Sequence, residues 1–350
     1  MRYGEFLPAG GTIGFVAPAF GCNTEPYHSA FLSALDMWKK ENYELKCGPN
    51  VYEGSGLGIS NTPEKCAREF SDWYCSPDTD VLISCGGGEL MCEILDKVDF
   101  DAIKKAQAKW FMGYSDNTNL TFLLATLCDT AAIYGPCAPT FGMVPRHESL
   151  LDAMKLLTGE SHQAHGYDKW EKESLKTEDN PLVPYNLTEP RILKYLAASG
   201  EVETCDSTKE ITMQGRLLGG CLDSLINLCG TCFDQVEAFN EKYKEDGVIW
   251  FLESCDLNVL QMRRALWQLS HAGWFRHARG FLIGRPWHFG EEIMGLDQYR
   301  AVTDMLSEYN VPVIMDADIG HLPPMMPLVC GSLAAVSVKG NDIGIHMEYK

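Results

Sequence analysis

The residues of this sequence that could do chemistry lie where apolar runs end. Ser115 stands in Gly113-Tyr114-Ser115-Asp116, between an apolar run at 110–112 and a stretch with helical apolar spacing. A serine at such a strand-turn-helix corner is exposed at the carboxyl end of a sheet, and helix amides point at its hydroxyl. The pattern departs from Gly-x-Ser-x-Gly because residue 117 is Asn. A simple helix N-cap at Ser115 or Asp116 is the alternative interpretation.

A glycine loop follows a second apolar run and offers oxyanion donors. Three consecutive glycines, Gly86, Gly87 and Gly88, come directly after residues 81–85. Glycines leave backbone amides uncovered, so the amide of Gly87, together with that of Asp116, would stabilise a tetrahedral oxyanion. Gly86 and Gly88 would contact the substrate. A tight turn that needs positive φ is the alternative interpretation of the same glycines.

A serine nucleophile needs a base and an orienting acid, and the second half of the chain offers both at strand ends. Glu253 follows the apolar run 248–252, where a carboxylate is costly unless it is paired. His321 follows residues 312–320 and precedes a proline-rich loop. A surface acid and a loop histidine are the plain alternatives. Spacing alone also leaves four competitors open, namely Asp256, Asp316, Asp318 and His288.

Alternating strand and helix patterns must position these residues. The first third predicts strands at 11–18, 43–47 and 81–84 and helices at 25–42 and 63–75. This alternation is typical of a parallel sheet covered by helices. The second half predicts strands at 211–218, 248–252, 280–283 and 311–315, a turn at Gly219-Gly220, and helices from 221 and over 259–271. The fold class is therefore α/β, with a parallel N-terminal sheet domain and a smaller mixed C-terminal domain.

The segment 159–190 has a different character from its surroundings. It is rich in charges and prolines and has little periodicity, which is typical of a long loop. Long loops in compact proteins often cover a functional site, so we expect this one to lie over the site or to serve as a linker. The predicted domains are 1–158, which carries the serine, and 191–350, which carries the acid and the base.

Composition excludes several classes of protein. The net charge of −19, without any basic run, argues against a nucleic-acid binder. The early glycines precede the first strand instead of following it, and no Walker-type sequence occurs, so no nucleotide cofactor is expected. No apolar stretch is long enough for a membrane span, and we expect a cytoplasmic protein. The 14 scattered cysteines predict reduced thiols, and Cys229-x-x-Cys232 lacks the partners of a metal site.

Six ordered motifs resemble one family, the S66 serine peptidases, which comprise LD-carboxypeptidases and microcin C self-immunity hydrolases. They are Gly11-Thr-Ile-Gly with Ala17-Pro18, Gly86-Gly87, Gly113-Tyr-Ser-Asp116, Gly215-Arg-Leu-Leu-Gly-Gly220, Leu252-Glu253, and Gly320-His321 with Pro324 and Gly331. The resemblance implies that Ser115 is the nucleophile, Glu253 the acid and His321 the base. It also implies a Rossmann-like N-terminal domain, a site at the domain junction, a homodimer, and neither metal nor cofactor.

Two departures within this family point to the substrate. The glycine loop reads Cys85-Gly-Gly-Gly-Glu89, where many LD-carboxypeptidases have Arg-Gly-Gly-Tyr-Gly, and the segment between the domains is long. The resemblance is closer to the microcin immunity type, so we expect an aminoacyl-nucleotide substrate with Trp170 stacking on its nucleotide part. Cleavage of a cytoplasmic muropeptide tetrapeptide is the first alternative. A small-anion binding protein without catalysis is the second.

Overall fold

Two β-sheets organise the chain, and a computed structural model describes all of residues 1–350. The strands, numbered along the chain, are β1 Thr12–Val16, β2 Glu44–Cys47, β3 Val81–Ser84, β4 Trp110–Gly113, β5 Ala132–Tyr134, β6 Gln163–His165, β7 Lys169–Glu171, β8 Leu187–Pro190, β9 Lys194–Leu196, β10 Val202–Thr204, β11 Glu210–Cys221, β12 Val248–Glu253, β13 Ala278–Gly284, β14 Glu292–Ile293, β15 Leu296–Asp297, β16 Val313–Ala317, β17 Leu328–Cys330, β18 Leu333–Lys339 and β19 Asp342–Glu348.

Nine α-helices and four short 3-10 helices cover or connect these strands. The α-helices are α1 Tyr27–Lys40, α2 Pro63–Cys75, α3 Phe100–Lys105, α4 Thr118–Thr126, α5 Glu148–Thr158, α6 Leu222–Leu228, α7 Val236–Lys242, α8 Val259–His271 and α9 Gln298–Leu306. The 3-10 helices are Met91–Lys97, Ser115–Asn117, Ala138–Gly142 and Ser307–Tyr309. No helix is both long enough and apolar enough to span a membrane.

The first sheet has six strands in the order β17-β5-β4-β3-β1-β2. Its five N-terminal strands are all parallel, and β17 is antiparallel to β5 at the edge. Strands such as β3 and β4 are buried along their whole length, as expected for a parallel sheet covered on both faces. The α/β fold class predicted from the sequence is confirmed. Strand β17 comes from the C-terminal half, so the two halves interlock.

The second sheet has nine strands in the order β10-β9-β16-β13-β12-β11-β18-β19-β6. Its centre, β16-β13-β12-β11, is parallel, and its flanks are antiparallel. The turn predicted at Gly219-Gly220 is wrong, because both residues continue β11 and pair with β12. A β-carbon on Gly219 would lie 1.8 Å from the Phe251 carbonyl oxygen, and one on Gly220 would lie 2.6 Å from Thr118. These glycines therefore permit close packing.

The segment 159–190 is more regular than its sequence indicated. It contains β6, which joins the edge of the second sheet, and β7 and β8, which form a separate two-stranded sheet. The domain boundary placed in this segment stays a prediction. Buried apolar side chains from both halves form one continuous cluster of 92 residues, so the two sheets are packed against a shared core.

Candidate active site

The serine corner is held in a backbone conformation that few residues adopt. Strand β4 ends at Gly113, Tyr114 is extended, and Ser115 has φ of +59° before the 3-10 turn that leads into α4. Left-handed backbone at a residue other than glycine costs about 1–3 kcal/mol and is concentrated at functional sites. Here it turns the Ser115 hydroxyl out of the sheet and toward a cavity.

Asn117, where the familiar elbow pattern has glycine, ties this corner to the glycine loop. Its Nδ2 donates to the carbonyl oxygens of Gly86, at 2.7 Å, and Tyr114, at 3.0 Å. A β-carbon on Gly113 would lie 2.8 Å from Asn117 Cγ, so the amide side chain fills the space beneath the turn. Sequence analysis recorded Asn117 only as a departure from the pattern. Its two contacts give it a positioning role that the pattern did not indicate.

The glycine loop lies directly against Ser115. A β-carbon on Gly87 would be 3.0 Å from Ser115 Oγ, so a larger residue there would crowd the hydroxyl. The amides of Gly87 and Gly88 donate to no acceptor within the chain, although the Gly87 carbonyl accepts from the amide of Phe20 at 2.7 Å. Free amides beside a hydroxyl are the donors that an oxyanion would need.

Asp116 contributes its backbone to this corner, while its side chain is used internally. Its carboxylate accepts from the Met91 amide at 2.8 Å and from Asn119 Nδ2 at 2.9 Å. Burial raises the pKa of Asp116 to about 6, although these hydrogen bonds oppose the rise. The side chain thus joins the 3-10 helix that follows the glycine loop to the first turn of α4.

The structure brings Ser115, His321 and Glu253 into one hydrogen-bonded chain. Ser115 Oγ lies 2.8 Å from His321 Nε2, and His321 Nδ1 lies 2.9 Å from Glu253 Oε2. Because Nδ1 faces a carboxylate, it keeps its proton when the ring is neutral, and Nε2 then presents a lone pair to the serine hydroxyl. None of the four competitors that the sequence left open makes a hydrogen bond to His321 or Ser115.

Burial and charge have opposite effects on this acid and base. Glu253 is 1% exposed at the end of β12. Burial alone would raise its pKa, but the charge of His321 and hydrogen bonds from His321 and Tyr134 outweigh it, and the pKa of Glu253 falls below its usual value. Burial would also lower the pKa of His321, but the Glu253 carboxylate raises it well above 6.5. The pair therefore favours its charged form.

Tyr134, at the end of β5, links the two halves of the site. Its hydroxyl donates to Glu253 Oε1 at 2.6 Å and accepts from the Ser115 amide at 3.3 Å. Burial, followed by the Glu253 charge, raises the pKa of Tyr134 well above 10, so the hydroxyl keeps its proton and remains a donor. The sequence gives no indication of this role, because a tyrosine in an apolar run carries no signal of a polar partner 119 positions later.

A buried ion network holds the loop that carries His321. Asp318 accepts from Arg285 Nη2 at 2.6 Å and from Arg191 Nη1 at 3.3 Å. Arg285 also donates to the carbonyl oxygens of Asp316 and Leu322, on either side of the histidine. All three charged side chains of this network are fully or almost fully buried.

Gly320 allows the histidine loop to approach the acid. Its φ is +100°, and a β-carbon there would lie 2.5 Å from Glu253 Oε2. The Gly320-His321 pair in the sequence is thus explained by the close approach of backbone and carboxylate.

A cavity of about 550 Å³ opens over Ser115 and His321. Both halves of the chain line it, including the glycine loop and the residues after β12. Two aromatic side chains in its wall are exposed, Phe20 at 42% and Tyr27 at 55%. Its volume is that of a site for a small molecule.

Trp170 does not line this cavity, which corrects the expectation that it stacks on a substrate there. The side chain is 4% exposed, packs edge-on against Phe289, and lies under the guanidinium of Arg285 at 5.0 Å. No residue of 159–190 lines the cavity, so the segment does not cover it. Instead it packs on the histidine loop, where the Glu171 amide donates to the Pro323 carbonyl oxygen at 2.8 Å.

Cys221 is a thiol close enough to the acid and base to be considered as a metal ligand with them. Potential ligand atoms of Cys221, Glu253 and His321 lie within 4.8 Å of one another. Burial, followed by the charges of Glu253 and Asp223, holds the pKa of Cys221 well above 9, and its Sγ lies 3.3 Å from Asp223. Because a metal ligand must be a thiolate, the protonated thiol fits a hydrogen-bond donor better than a metal ligand.

Comparisons with known proteins identify the family. Residues 13–135 match the Peptidase_S66 model, described as the LD-carboxypeptidase N-terminal domain, and residues 214–336 match the corresponding C-terminal domain. Together the two matches cover more than two thirds of the chain. The chain is also 26% identical to the microcin C7 self-immunity protein MccF of Escherichia coli over 356 residues, which covers 98% of the chain and 95% of that protein.

Two solved structures with the same fold are of MccF and of a MccF-like protein. A structure of MccF in complex with glutamyl sulfamoyl guanosine has a TM-score of 0.79 at 21% identity and covers 99% of this chain and 98% of that one. A MccF-like protein from Bacillus anthracis also has a TM-score of 0.79, at 19% identity, and covers 99% and 100%. These two similarities show that the chain shares the fold of those proteins over nearly its whole length.

Proposed function

Because this chain belongs to the S66 family of LD-carboxypeptidases and MccF-like hydrolases, we propose that it is a serine hydrolase of small aminoacyl compounds. The observation that carries the proposal is the hydrogen-bonded chain from Ser115 Oγ through His321 to Glu253, with contacts of 2.8 and 2.9 Å. Such a chain is the arrangement that activates a serine for acyl transfer.

In the first step, Ser115 Oγ attacks the carbonyl carbon of the scissile amide while His321 Nε2 takes the hydroxyl proton. The carbonyl electron pair moves to oxygen, and the amides of Gly87 and Asp116 donate to that oxyanion. Glu253 stabilises the imidazolium that forms, and Tyr134 keeps the carboxylate oriented. The carbon–nitrogen bond then breaks, and His321 returns its proton to the leaving nitrogen.

In the second step, water attacks the acyl-serine ester with His321 again acting as base. The carbon–oxygen bond to Ser115 breaks, the free acid leaves, and the serine recovers its proton. Each step thus uses the same three side chains.

For the substrate, we propose an aminoacyl-nucleotide compound cut between the aminoacyl group and the nucleotide part. Structures of MccF have been solved with glutamyl sulfamoyl guanosine and with aspartyl sulfamoyl adenosine. Exposed aromatic faces in a cavity wall are suited to stack on a nucleobase. We assign that stacking to Phe20 and Tyr27, since Trp170 lies outside the cavity.

Cleavage of an L,D-linked muropeptide is the second candidate, favoured by the description of both matching family models. A carboxypeptidase must accommodate a free carboxylate on its leaving group, which a lysine or arginine would normally bind. No lysine or arginine lines the cavity. The third candidate, a small-anion binding protein, is also disfavoured, because a cavity with acidic side chains and no lysine or arginine repels anions.

Turnover by the purified protein separates these candidates. We expect cleavage of an aminoacyl-sulfamoyl adenosine to the free amino acid, and no release of D-alanine from the tetrapeptide. Ser115→Ala should fold normally and lose roughly four to six orders of magnitude in kcat, because the nucleophile is gone. Mass spectrometry detects both products. Cleavage of only the tetrapeptide would move the protein to cell-wall recycling, and full turnover by Ser115→Ala would remove the serine mechanism.

Two finer expectations from the sequence stay part of this proposal. One is that the protein forms a homodimer, and the other is that it acts in the cytoplasm. Neither affects the geometry of the site within a single chain.

A further inference from the structure

The cavity over Ser115 has a strongly one-sided charge. Three carboxylates that are not fully buried line it, those of Glu89, Asp223 and Asp256. None of these three lies within 4.0 Å of a lysine, arginine or histidine nitrogen anywhere in the chain. His321 is the only side chain in the lining that can carry a positive charge. The negative charges therefore have no internal counterion.

Two of these carboxylates are fixed on the wall that carries the acid and base. Asp223 accepts hydrogen bonds from the amides of Cys255, at 3.1 Å, and Asp256, at 2.8 Å. Asp256 follows β12, three residues after Glu253. The N-terminal half of the chain contributes the aromatic side chains Phe20 and Tyr27 to the lining, together with Glu89. The C-terminal half contributes two carboxylates and no aromatic side chain except that of His321.

Unpaired charges in a concave site act over the whole cavity. Low-dielectric walls focus the field of the carboxylates, so a cation inside is attracted and an anion is repelled. The first turn of α6 would otherwise offer partial positive charge to an anion, but Asp223 occupies that turn and offsets it. An acyl group with an acidic side chain would therefore be repelled by the carboxylates of the lining, and no lysine or arginine there would offset the repulsion.

We propose that the acyl group transferred to Ser115 carries a basic side chain, as in a lysyl or arginyl compound, with Asp223 and Asp256 contacting the cation. This inference rests on the proposed function, because it assigns the substrate class of the same serine. The α-ammonium of any aminoacyl group supplies one positive charge, and the basic side chain supplies a second. Acyl groups with aspartyl or glutamyl side chains are disfavoured.

The test uses the full chain with lysyl-, leucyl- and glutamyl-sulfamoyl adenosine, which differ only in the acyl side chain. We expect kcat/KM to be at least about tenfold higher for the lysyl than for the glutamyl compound, with the leucyl compound between them. The lysyl preference should shrink as salt is raised from about 0.05 to 0.5 M, because screening weakens exposed charges. Asp256→Asn should reduce the ratio several-fold, whereas the exposed Asp72→Asn, outside the cavity, should leave all three rates unchanged.

The outcomes separate the specificity from the function. Glutamyl turnover equal to or faster than lysyl turnover would overturn the basic-substrate inference and leave the serine hydrolase intact. If no compound is cleaved, the proposed function fails. Calorimetric binding of the same compounds to Ser115→Ala then still tests the charge preference, which tighter lysyl binding supports and equal or tighter glutamyl binding refutes.

Discussion

The serine side and the histidine side of this site are built in different ways. Ser115 is positioned by its immediate neighbours: β4 ends two residues before it, and Asn117 fills the turn. His321 is positioned by residues distant in sequence, since Asp318 pairs with Arg285, 33 positions away, and with Arg191, 127 positions away. One half of the site is thus specified locally, and the other depends on the finished fold.

This difference has energetic consequences. The serine corner contains backbone strain, which α4 and the glycine loop must hold in place. The histidine loop is held by buried charges, which add little net stability but are very costly when one partner is lost. We therefore expect changes on the serine side to affect rate with little effect on stability. Changes on the histidine side should affect both.

Glu253→Gln should give the largest effect on the histidine side. Only the neutral imidazole can act as base, so in the wild type the rate falls as pH drops through the pKa of His321, which lies well above 6.5. Without the Glu253 charge, burial lowers that pKa, and the acidic limb of the rate profile moves to lower pH. The plateau rate should still fall by roughly three to four orders of magnitude, because the imidazolium loses its partner. A pH profile of kcat/KM measures both effects.

The same pair should make stability depend on pH. The raised pKa of His321 stabilises the fold below about pH 6.5, and this contribution is lost as pH rises through the folded value. The lowered pKa of Glu253 stabilises the fold above about pH 4.5, and this contribution is lost as pH falls through the folded pKa of Glu253. The stability difference between wild type and Glu253→Gln should therefore be largest between about pH 4.5 and 6.5. An acidic limb of the kcat/KM profile that does not move in Glu253→Gln would contradict the pairing of His321 with Glu253.

Asp318→Asn tests whether the distant ion network holds the histidine loop. The substitution leaves the guanidinium groups of Arg191 and Arg285 buried without a counterion, so we expect a loss of about 3–5 kcal/mol in the free energy of unfolding. Urea unfolding measures this change. The matched control is Asp304→Asn, because Asp304 pairs with Arg263 at the surface and should contribute at most about 1 kcal/mol. Equal losses in the two variants would remove the special role of Asp318.

Sequence reasoning succeeded where structure is local. The bounds of α2, α8 and β3 were predicted to the residue, because apolar spacing and the flanking residues decide such elements. The corner at Ser115 was predicted for the same reason. The choice of Glu253 and His321 among the competitors came from the family resemblance, since spacing alone left it open.

Sequence reasoning failed where residues act through distant partners. Gly219-Gly220 was predicted to form a turn, because the sequence does not show that Phe251 and Thr118 press against those positions. Trp170 was assigned to the substrate because its segment resembles the extended loop of the microcin immunity type. Its packing beside Arg285 depends on the tertiary fold. Tyr134 was missed for the same reason.

Tyr134→Phe should have the smallest effect and is the sharpest test of how the two sides are joined. The ring stays in place, but Glu253 loses a 2.6 Å donor and the Ser115 amide loses its acceptor. A buried carboxylate left short of one hydrogen bond costs about 1–3 kcal/mol, so we expect kcat to fall by roughly tenfold. KM should change little, because the hydroxyl lies below the triad and Tyr134 does not line the cavity. The control Tyr309→Phe removes a hydroxyl bonded to Ser270 on a half-buried side chain that does not line the cavity, and it should leave kcat unchanged. If Tyr134→Phe raised KM and left kcat intact, the hydroxyl would serve the cavity instead of connecting the serine to the acid.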